Sequence, residues 1–357
     1  MKRKRTTLHP SEWPELDQKL WQAAISPGGF LEPDGRAAHW RDKTRKGVVK
    51  RYGLWLGYLK ETGQLDQCTS PAGRISEETL SGYVEWLESR GNASTTIASA
   101  VRDLVEALRV MEPKADLSLL RELNITLHAR QEPSRAKHTR IMHPDDILSG
   151  ALIYLDELPN MVLPAKSSRA GKYRDGLAIA FLACRPIRLE NLTETALCQH
   201  LIQDGNRWRC HYEAHEMKDN LPLDFYLQSR LVPYLEAYLS IYRPILVDGN
   251  AFPHLWISTR GTPMSEQAIY CNTCRLTEDL FGRAINPHLF RDCAASALAT
   301  EDPEHILAIA RILGHGSIET TTRHYNQSQM TAAGEMFHDV LADLRRIPET
   351  DRHWSDK

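Results

Sequence analysis

The sequence predicts a mainly α-helical protein with one small β-hairpin or sheet in its C-terminal domain. Two observations predict this fold class. Apolar residues recur mostly at spacings of three and four, and only the stretch over residues 201–226 alternates polar and apolar side chains. A segment of low apolar content separates this region from a helical N-terminal part. The expected segments are an N-terminal arm (1–35), a helical domain (36–130), a basic linker (131–144), a mixed domain (145–330), and a C-terminal helix and tail (331–357).

The helices are predicted from their apolar faces and their end signals. A helix over residues 37–62 would place Tyr52, Trp55, Leu56 and Leu59 on one face. Serines that can act as N-caps precede the next two, over 77–88 and 95–111. Further helices are predicted over residues 16–24, 117–127, 144–158, 169–184, 229–242 and 265–281.

The strands are predicted from alternation. Residues 201–214 and 221–226 alternate polar and apolar side chains and flank a polar turn at residues 218–220. This arrangement is typical of a β-hairpin with Lys218 at its tip.

Composition places the chain among cytoplasmic globular proteins. Hydrophobic residues make up 42% and charged residues 25% of the 357 residues, which is ordinary for such proteins. No apolar run approaches the roughly 20 residues that span a bilayer, and the first residues lack the apolar segment of a secretory signal. Seven scattered cysteines indicate reduced thiols. Cys271 and Cys274 form a lone C-x-x-C without a second ligand pair, so we expect buried thiols there and no metal.

The charge distribution is uneven. The formal net charge of −2 argues against a uniformly basic nucleic-acid binder, but residues 1–60 hold 13 Lys and Arg against 6 Asp and Glu. The basic residues of the helix predicted over 37–62 could contact DNA or simply form a solvated charged face. Those of the linker could contact DNA or belong to a plain solvated linker. The candidate DNA-binding residues are Lys43, Arg45, Lys46, Lys50, Arg51, Arg135, Lys137 and Arg140.

One stretch near the C-terminus carries most of the chemistry. Asn286 is a good N-cap before a proline, so a helix is predicted to begin there with His288 and Arg291 on one face of its first turn. The N–H groups of a helix N-terminus bind anions, and the imidazole and guanidinium add a proton-transfer group and a fixed charge. A second helix, starting at Asp302, would end at a glycine and place His315 just beyond its end.

His-x-x-Arg, Leu-Gly-His and a tyrosine ten positions further on, in this order, resemble the C-terminal signature of the tyrosine recombinases, the phage integrase family. Upstream, Ala-Cys-Arg-Pro-Ile-Arg-Leu-Glu-Asn-Leu resembles the family's first arginine motif, and Met-Lys-Asp-Asn-Leu-Pro-Leu resembles its β-hairpin lysine. The resemblance covers residues 145–330 by motif. It implies a helical core-binding domain followed by an integrase-type catalytic domain. The six candidate catalytic residues are Arg188, Lys218, His288, Arg291, His315 and Tyr325.

The resemblance implies a site-specific recombinase, and the residue types suit that chemistry. Arg188 and Arg291 would clamp the scissile phosphate, because a guanidinium is charged at physiological pH and can donate paired N–H groups. His315 would be a further donor to that phosphate. The family assigns its lysine, here Lys218, as the general acid.

His288 is the expected proton acceptor for the nucleophile, Tyr325, whose phenol has an ordinary pKa of about 10. The implied reaction is strand transfer through a 3′-phosphotyrosyl intermediate and a Holliday junction, without ATP, metal or other cofactor. The implied partners are double-stranded DNA with a specific recombination site and three further copies of this chain on two duplexes, in a bacterial, nucleoid-associated setting. The predicted helix over residues 331–344 could be a segment exchanged between copies or the last core helix.

Each candidate also has a structural explanation. Arg188 could pair with Glu190 or Glu194, and Lys218 could be an ordinary turn lysine. The two histidines could serve only as helix-end residues, and the tyrosine could belong to the core. Taken together, the six residues in family order favour the catalytic interpretation.

The sequence departs from the family pattern at two positions. Many members have the tyrosine nine steps after the Leu-Gly-His histidine, where this chain has His324, so Tyr325 lies one step beyond. An acid often follows the first arginine by three residues, and Asn191 stands there instead.

Two rival functions share these motifs. A type IB topoisomerase uses a similar residue set, but the separate N-terminal helical domain and the lack of a long coiled-coil insert favour a recombinase. A DNA-binding regulator that has lost catalysis is less favoured, because all six candidates are present.

Overall fold

The computed structural model describes residues 6–29, 33–132 and 138–301. The chain forms two compact units, Met1–Ala136 (unit 1) and Lys137–Lys357 (unit 2). The described residues are mainly helical, with one three-stranded antiparallel sheet in unit 2. The predicted fold class is therefore confirmed. No described helix is both long enough and apolar enough to span a membrane.

Unit 1 is helical throughout its described part. Its helices are α1 (Glu15–Ile25), α2 (Asp42–Glu61), α3 (Glu77–Ser89), α4 (Ser94–Met111) and α5 (Ser118–Ala129). Their ends fall within a few residues of the predicted ones, except that α2 begins five residues late because residues 35–40 form hydrogen-bonded turns. Ser76 caps α3 as predicted, whereas Ser94 is the first residue of α4 and not its cap.

Aromatic residues fill the core of unit 1. Tyr52, Trp55, Leu56 and Leu59 of α2 are fully buried, which confirms the predicted apolar face. The Trp55 ring meets the Tyr83 ring of α3 edge to face, with centroids 5.0 Å apart. Such edge-to-face pairs add to the stabilisation that buried area gives.

The described part of the predicted N-terminal arm packs into this same core. Trp13 and Trp21 are buried in it, and the Leu8 N–H donates to the Gly53 carbonyl at 2.9 Å. A Cβ atom at Gly57 would lie 1.8 Å from the Thr6 carbonyl oxygen. Glycine on α2 therefore lets the N-terminal backbone cross the helix at close range.

A buried ion pair joins α1 to the rest of unit 1. Asp17 accepts hydrogen bonds from the Arg74 guanidinium at 2.7 Å and from the Tyr52 hydroxyl at 2.5 Å. Arg74 also donates to the carbonyls of Asp66 and Thr69. Such a pair is costly to break, because the remaining partner would be a buried, uncompensated charge.

Unit 2 is organised around one buried helix. Its helices are α6 (Pro144–Glu157), α7 (Lys166–Cys184), α8 (Leu189–Glu194), α9 (Val232–Ala237), α10 (Arg243–Val247), α11 (Glu266–Phe281) and α12 (Leu289–Glu301). Helix α7 is buried nearly all round from Ala170 to Ala183, as expected of a central core helix. A π-helical turn, Tyr238–Tyr242, joins α9 and α10, so this helical stretch continues five residues beyond the predicted end.

The sheet has the strand order β1-β2-β3, with β1 (Leu201–Asp204), β2 (Arg207–Tyr212) and β3 (Leu223–Tyr226). The prediction of a single strand over residues 201–214 was wrong, because the chain reverses between β1 and β2. Gly205 takes a positive φ of 59° in that turn. The two-residue turn is Gly205-Asn206, because Asp204 and Arg207 pair across the strands, and a Gly-Asn pair is a hairpin signal that the alternation obscured.

The predicted helix at Asn286 begins later than expected, at Leu289. The Asn286 side chain nevertheless accepts a hydrogen bond from the Leu289 N–H at 3.0 Å, so it satisfies one of the free donors at the helix start. The helices predicted from Asp302 and over residues 331–344 lie outside the described residues.

Candidate active site

The structure brings the two candidate arginines into one site. Arg188 directly precedes α8, and Arg291 lies in the first turn of α12. The buried Arg291 guanidinium donates through Nη1 to the Pro186 carbonyl at 2.8 Å. This bond ties α12 to the backbone two residues before Arg188, although the two segments are about a hundred residues apart in sequence.

The Arg291 guanidinium is buried with too little negative charge around it. Burial, and next the nearby charge of Arg188, lower the pKa of Arg291 to about 10. Asp292 and Asp219 raise this pKa, but only partly offset the two larger effects. Because two cations act on each other in a partly buried space, an anion bound between them would relieve the repulsion.

The connection between β2 and β3, residues 213–222, reaches the same site. Its Asp219 pairs with Arg188, with Oδ2 and Nη2 3.6 Å apart. Lys218, the preceding residue, is exposed, and Asn220 takes a positive φ of 53° that asparagine tolerates better than most residues. The sequence alone suggests only Glu190 and Glu194 as partners of Arg188, so Asp219 is an additional partner that was not predicted.

Asn191 contacts the lysine-bearing connection. Its side chain is buried and donates through Nδ2 to the Glu216 carbonyl at 3.2 Å. The family often has an acid at this position. Here Asn191 stands instead and binds the backbone two residues before Lys218.

His288 is exposed and lies immediately before α12, and its carbonyl accepts the Arg291 N–H at 3.1 Å. It is thus fixed by the backbone to the helix that carries Arg291. His315 and Tyr325 lie outside the described residues, so four of the six candidates can be placed. Three of those four are joined through the contacts of Arg188, Arg291 and the 213–222 connection.

The candidate DNA-binding residues of α2 lie along its surface. Lys43, Lys46 and Lys50 are exposed, whereas Arg45 and Arg51 are half-buried. The Arg45 guanidinium donates to the Ala38 carbonyl and lies 4.0 Å from Asp42. These residues stay candidates.

In the linker, Arg140 donates to the Ala284 carbonyl at 3.3 Å, and this contact holds it within unit 2. Arg135 and Lys137 lie outside the described residues. All three stay candidates.

The expectation of buried thiols at the C-x-x-C was wrong. Cys271 is exposed and Cys274 is half-buried, because their part of α11 forms an outer face of unit 2. Within the described residues, no group of three or more His, Cys, Asp or Glu side chains is arranged to hold a metal ion.

Sequence reasoning missed the residues that surround the candidates. Asp219 pairs with Arg188, and Glu216 and His200 bond to each other at the start of the lysine-bearing connection. Only Asp219 had a usable signal, because it is adjacent to Lys218. His200 reaches Glu216 only because the chain turns back after β1, which His200 precedes. The alternation of residues 201–214 hides the end of β1, so no signal in the sequence indicated this contact.

Residues 153–332 match the family model described as the phage integrase family. The chain belongs to the phage integrase family. It is 25% identical over 201 residues to the tyrosine recombinase XerD of Staphylococcus saprophyticus. The matched segment covers 55% of this chain and 63% of XerD. The match therefore spans less than two thirds of that relative's own length. The chain is also 22% identical to the SPbeta prophage-derived recombinase-like protein YomM of Bacillus subtilis, over 88% of this chain and 91% of YomM.

Solved structures of the same fold include the XerH site-specific recombinase. Its post-cleavage complex with a palindromic difH substrate matches 81% of this chain and 80% of that chain, with a TM-score of 0.55 and 14% identity. Its pre-cleavage complex with difH gives a TM-score of 0.53, over 83% of this chain and 79% of that chain. At this identity the likeness concerns the fold alone.

Proposed function

We propose that this protein is a site-specific DNA recombinase that cleaves and rejoins strands through a 3′-phosphotyrosyl intermediate and a Holliday junction. The observation that carries the proposal is the proximity of two positive charges beside the connection that holds Lys218. Arg188 lies near Arg291, whose buried guanidinium has too little negative charge around it. Family membership and the fold shared with XerH support it.

The two guanidinium groups fit a scissile phosphate. As the phosphorus becomes pentavalent, negative charge grows on its non-bridging oxygens, and fixed donors stabilise that charge more than they stabilise the ground state. Arg291 is held by α12 and by the Pro186 carbonyl, so little reorganisation is needed. His315 would add a further donor on the same phosphate.

The remaining candidates transfer protons and attack. The Tyr325 oxygen forms the bond to phosphorus while the phosphorus–O5′ bond breaks. His288 accepts the phenol proton, and Lys218 donates a proton to the departing O5′. The phosphotyrosine keeps the energy of the broken bond, so religation to another 5′-hydroxyl needs no ATP. Charge stabilisation by arginines fills the role that metal ions fill in many nucleases, and we expect no metal requirement.

The expected partner is duplex DNA with a specific site, bound by four copies of this chain on two duplexes. The proposed phosphate contacts are the candidate basic residues of α2 and of the linker: Lys43, Arg45, Lys46, Lys50, Arg51, Arg135, Lys137 and Arg140. Phosphate contacts position a protein on DNA, whereas the target sequence is read at base edges.

Covalent capture from a DNA pool tests the proposal for any target sequence. Nicked duplexes randomised around the nick are incubated with the full chain, and DNA that stays attached to denatured protein is sequenced. The nick lets a short fragment leave, which prevents religation. We expect one enriched sequence and a tyrosine-linked 3′-phosphate.

Tyr325→Phe should abolish capture, whereas Tyr270→Phe, at an exposed tyrosine on α11, should not. Sequence-specific binding without any covalent complex would instead indicate a non-catalytic regulator. Relaxation of plasmids regardless of their sequence would indicate a topoisomerase. Either result contradicts the proposed function.

A further inference from the structure

Glu216, two residues before Lys218, joins the lysine-bearing connection to two other parts of the site and closes a turn within the connection. Its Oε1 atom accepts from His200 Nε2 at 2.9 Å, and its Oε2 atom accepts from the Glu213 N–H at 2.8 Å. Its carbonyl accepts from Asn191 at 3.2 Å. These bonds fix the short turn Ala214–Glu216 at the start of the connection.

The His200 ring is held in one tautomer and one orientation. Nδ1 accepts the Ala196 N–H at 3.0 Å, so the ring proton is on Nε2 and is donated to Glu216. The ring is buried and stacks on Tyr212, with centroids 5.0 Å apart and planes 16° apart. The Tyr212 hydroxyl in turn shares a hydrogen bond with Thr195 at 2.9 Å. Rotation of the imidazole would break both of its hydrogen bonds and the stack.

The carboxylate is the ionised partner of this bond. Burial raises the pKa of Glu216, but hydrogen bonds from His200 and from the Glu213 N–H outweigh that effect, so the pKa lies below its ordinary value. At neutral pH the bond is therefore assisted by charge, which makes it stronger than a bond between neutral groups.

Asp219 restrains the far side of Lys218, but a bound phosphate would compete for this contact. Asp219 holds Arg188 at a long 3.6 Å, and its other oxygen, Oδ1, is buried without a partner among the described residues. A phosphate bound to Arg188 would take the place of this carboxylate. The anchor at Glu216, with the buried Met217 beside it, would then determine where the lysine backbone lies.

We propose that His200 and Glu216 are positioning residues for Lys218: the imidazole–carboxylate bond holds the β2–β3 connection so that the lysine amine meets the departing 5′-oxygen. This inference rests on the proposed function. Neither residue touches the substrate, and both act through the backbone at residues 216–218.

The first test needs no DNA. His200→Phe keeps the stack on Tyr212 but removes both hydrogen bonds, and hydrogen exchange is then measured on the full chain. We expect the amides of Glu216, Met217 and Asn220, each bonded within the connection, to exchange at least about tenfold faster while those of α7 do not change. His200→Gln, which keeps a donor for Glu216, should restore part of the protection.

Tyr238→Phe is the control for a simple loss of stability. It removes one buried hydrogen bond, to the Leu255 carbonyl at 2.9 Å, elsewhere in the same unit. We expect no change in the connection from this variant. Unchanged exchange in His200→Phe, or equal changes in both variants, would overturn the inference.

The second test uses the duplex recovered by covalent capture, with either oxygen or sulfur at the bridging 5′ position. A thiolate leaves without protonation, because a thiol has a pKa of only about 8.5. On the oxygen duplex, Lys218→Ala should slow cleavage by on the order of 10²–10⁴. His200→Phe and Glu216→Gln should slow it by about 10 to 100, as a displaced catalytic group does. On the sulfur duplex all three should approach the wild-type rate.

The outcomes separate the two proposals. If Lys218→Ala stays slow on the sulfur duplex, Lys218 is not the general acid of the proposed function. If no duplex is ever captured, the proposed covalent chemistry is wrong. If Lys218→Ala is rescued and the His200 and Glu216 variants are not, the function stands and the positioning role is refuted.

Discussion

The buried charge of Arg291 should destabilise the folded protein when no DNA is bound, and the free energy of unfolding of a variant that lacks this charge tests the site. We consider Arg291→Met, which keeps a long flexible side chain but removes the charge. The pKa of about 10 lies well below the ordinary value for arginine, and the difference corresponds to about 3 kcal/mol of native-state destabilisation by the charged form. The side chain is only 5% exposed, so solvent screens little of this.

One loss opposes this gain. The Pro186 carbonyl would lose its donor at 2.8 Å, which costs about 1–3 kcal/mol if no water replaces it. We therefore expect Arg291→Met to leave unit 2 between about 0 and 2 kcal/mol more stable, while it abolishes covalent capture of DNA. Inorganic phosphate should stabilise the wild type but not this variant.

Arg174→Met is the matched control. Arg174 is also buried in unit 2, but it pairs with Asp175 at 2.7 Å and donates to the Ile257 carbonyl at 2.6 Å. Removing this satisfied charge should cost about 3–5 kcal/mol, the opposite sign. Amide exchange of α7 in increasing urea measures both variants, because it reports on unit 2 alone in a chain of two units. If Arg291→Met destabilises unit 2 as much as Arg174→Met does, Arg291 is not strained and the site has no stored preference for an anion.

Three further predictions follow from the same contacts. Gly57→Ala should destabilise unit 1 by about 1–3 kcal/mol because its Cβ would meet the N-terminal backbone, whereas Gly47→Ala on the same helix meets nothing within 4 Å and should stabilise by about 0.5–1 kcal/mol in urea unfolding. As the pH rises above about 10, the unfolded chain binds more protons at Arg291 than the folded chain does, so the wild type should gain stability relative to Arg291→Met while its affinity for phosphate falls. Calorimetry at several pH values measures the stability and the phosphate affinity. Parallel stability curves for the two proteins would contradict this prediction. Asp17→Ala should destabilise unit 1 by about 3–5 kcal/mol because Arg74 would remain buried without its carboxylate, and a loss under about 1 kcal/mol would show that water reaches this pair.

The sequence determined the helices and the identities of the candidate residues. Helix ends depend on neighbouring residues, so Ser76 could be recognised as the cap of α3 and the buried face of α2 could be read from its spacing. The same local logic failed where two signals competed. The alternation over 201–214 concealed the Gly-Asn turn at residues 205–206 that joins β1 to β2.

Only the tertiary structure decided how the site is assembled. The bond from Arg291 to Pro186, the pairing of Asp219 with Arg188, and the hold of His200 on Glu216 join residues from different elements. Their partners are chosen by the packing of α12, the sheet and α8, and no spacing in the sequence encodes that packing. The sequence determined which charged groups the chain has, whereas the fold decided which of them lack compensation, because burial and distance set the energy of a charge.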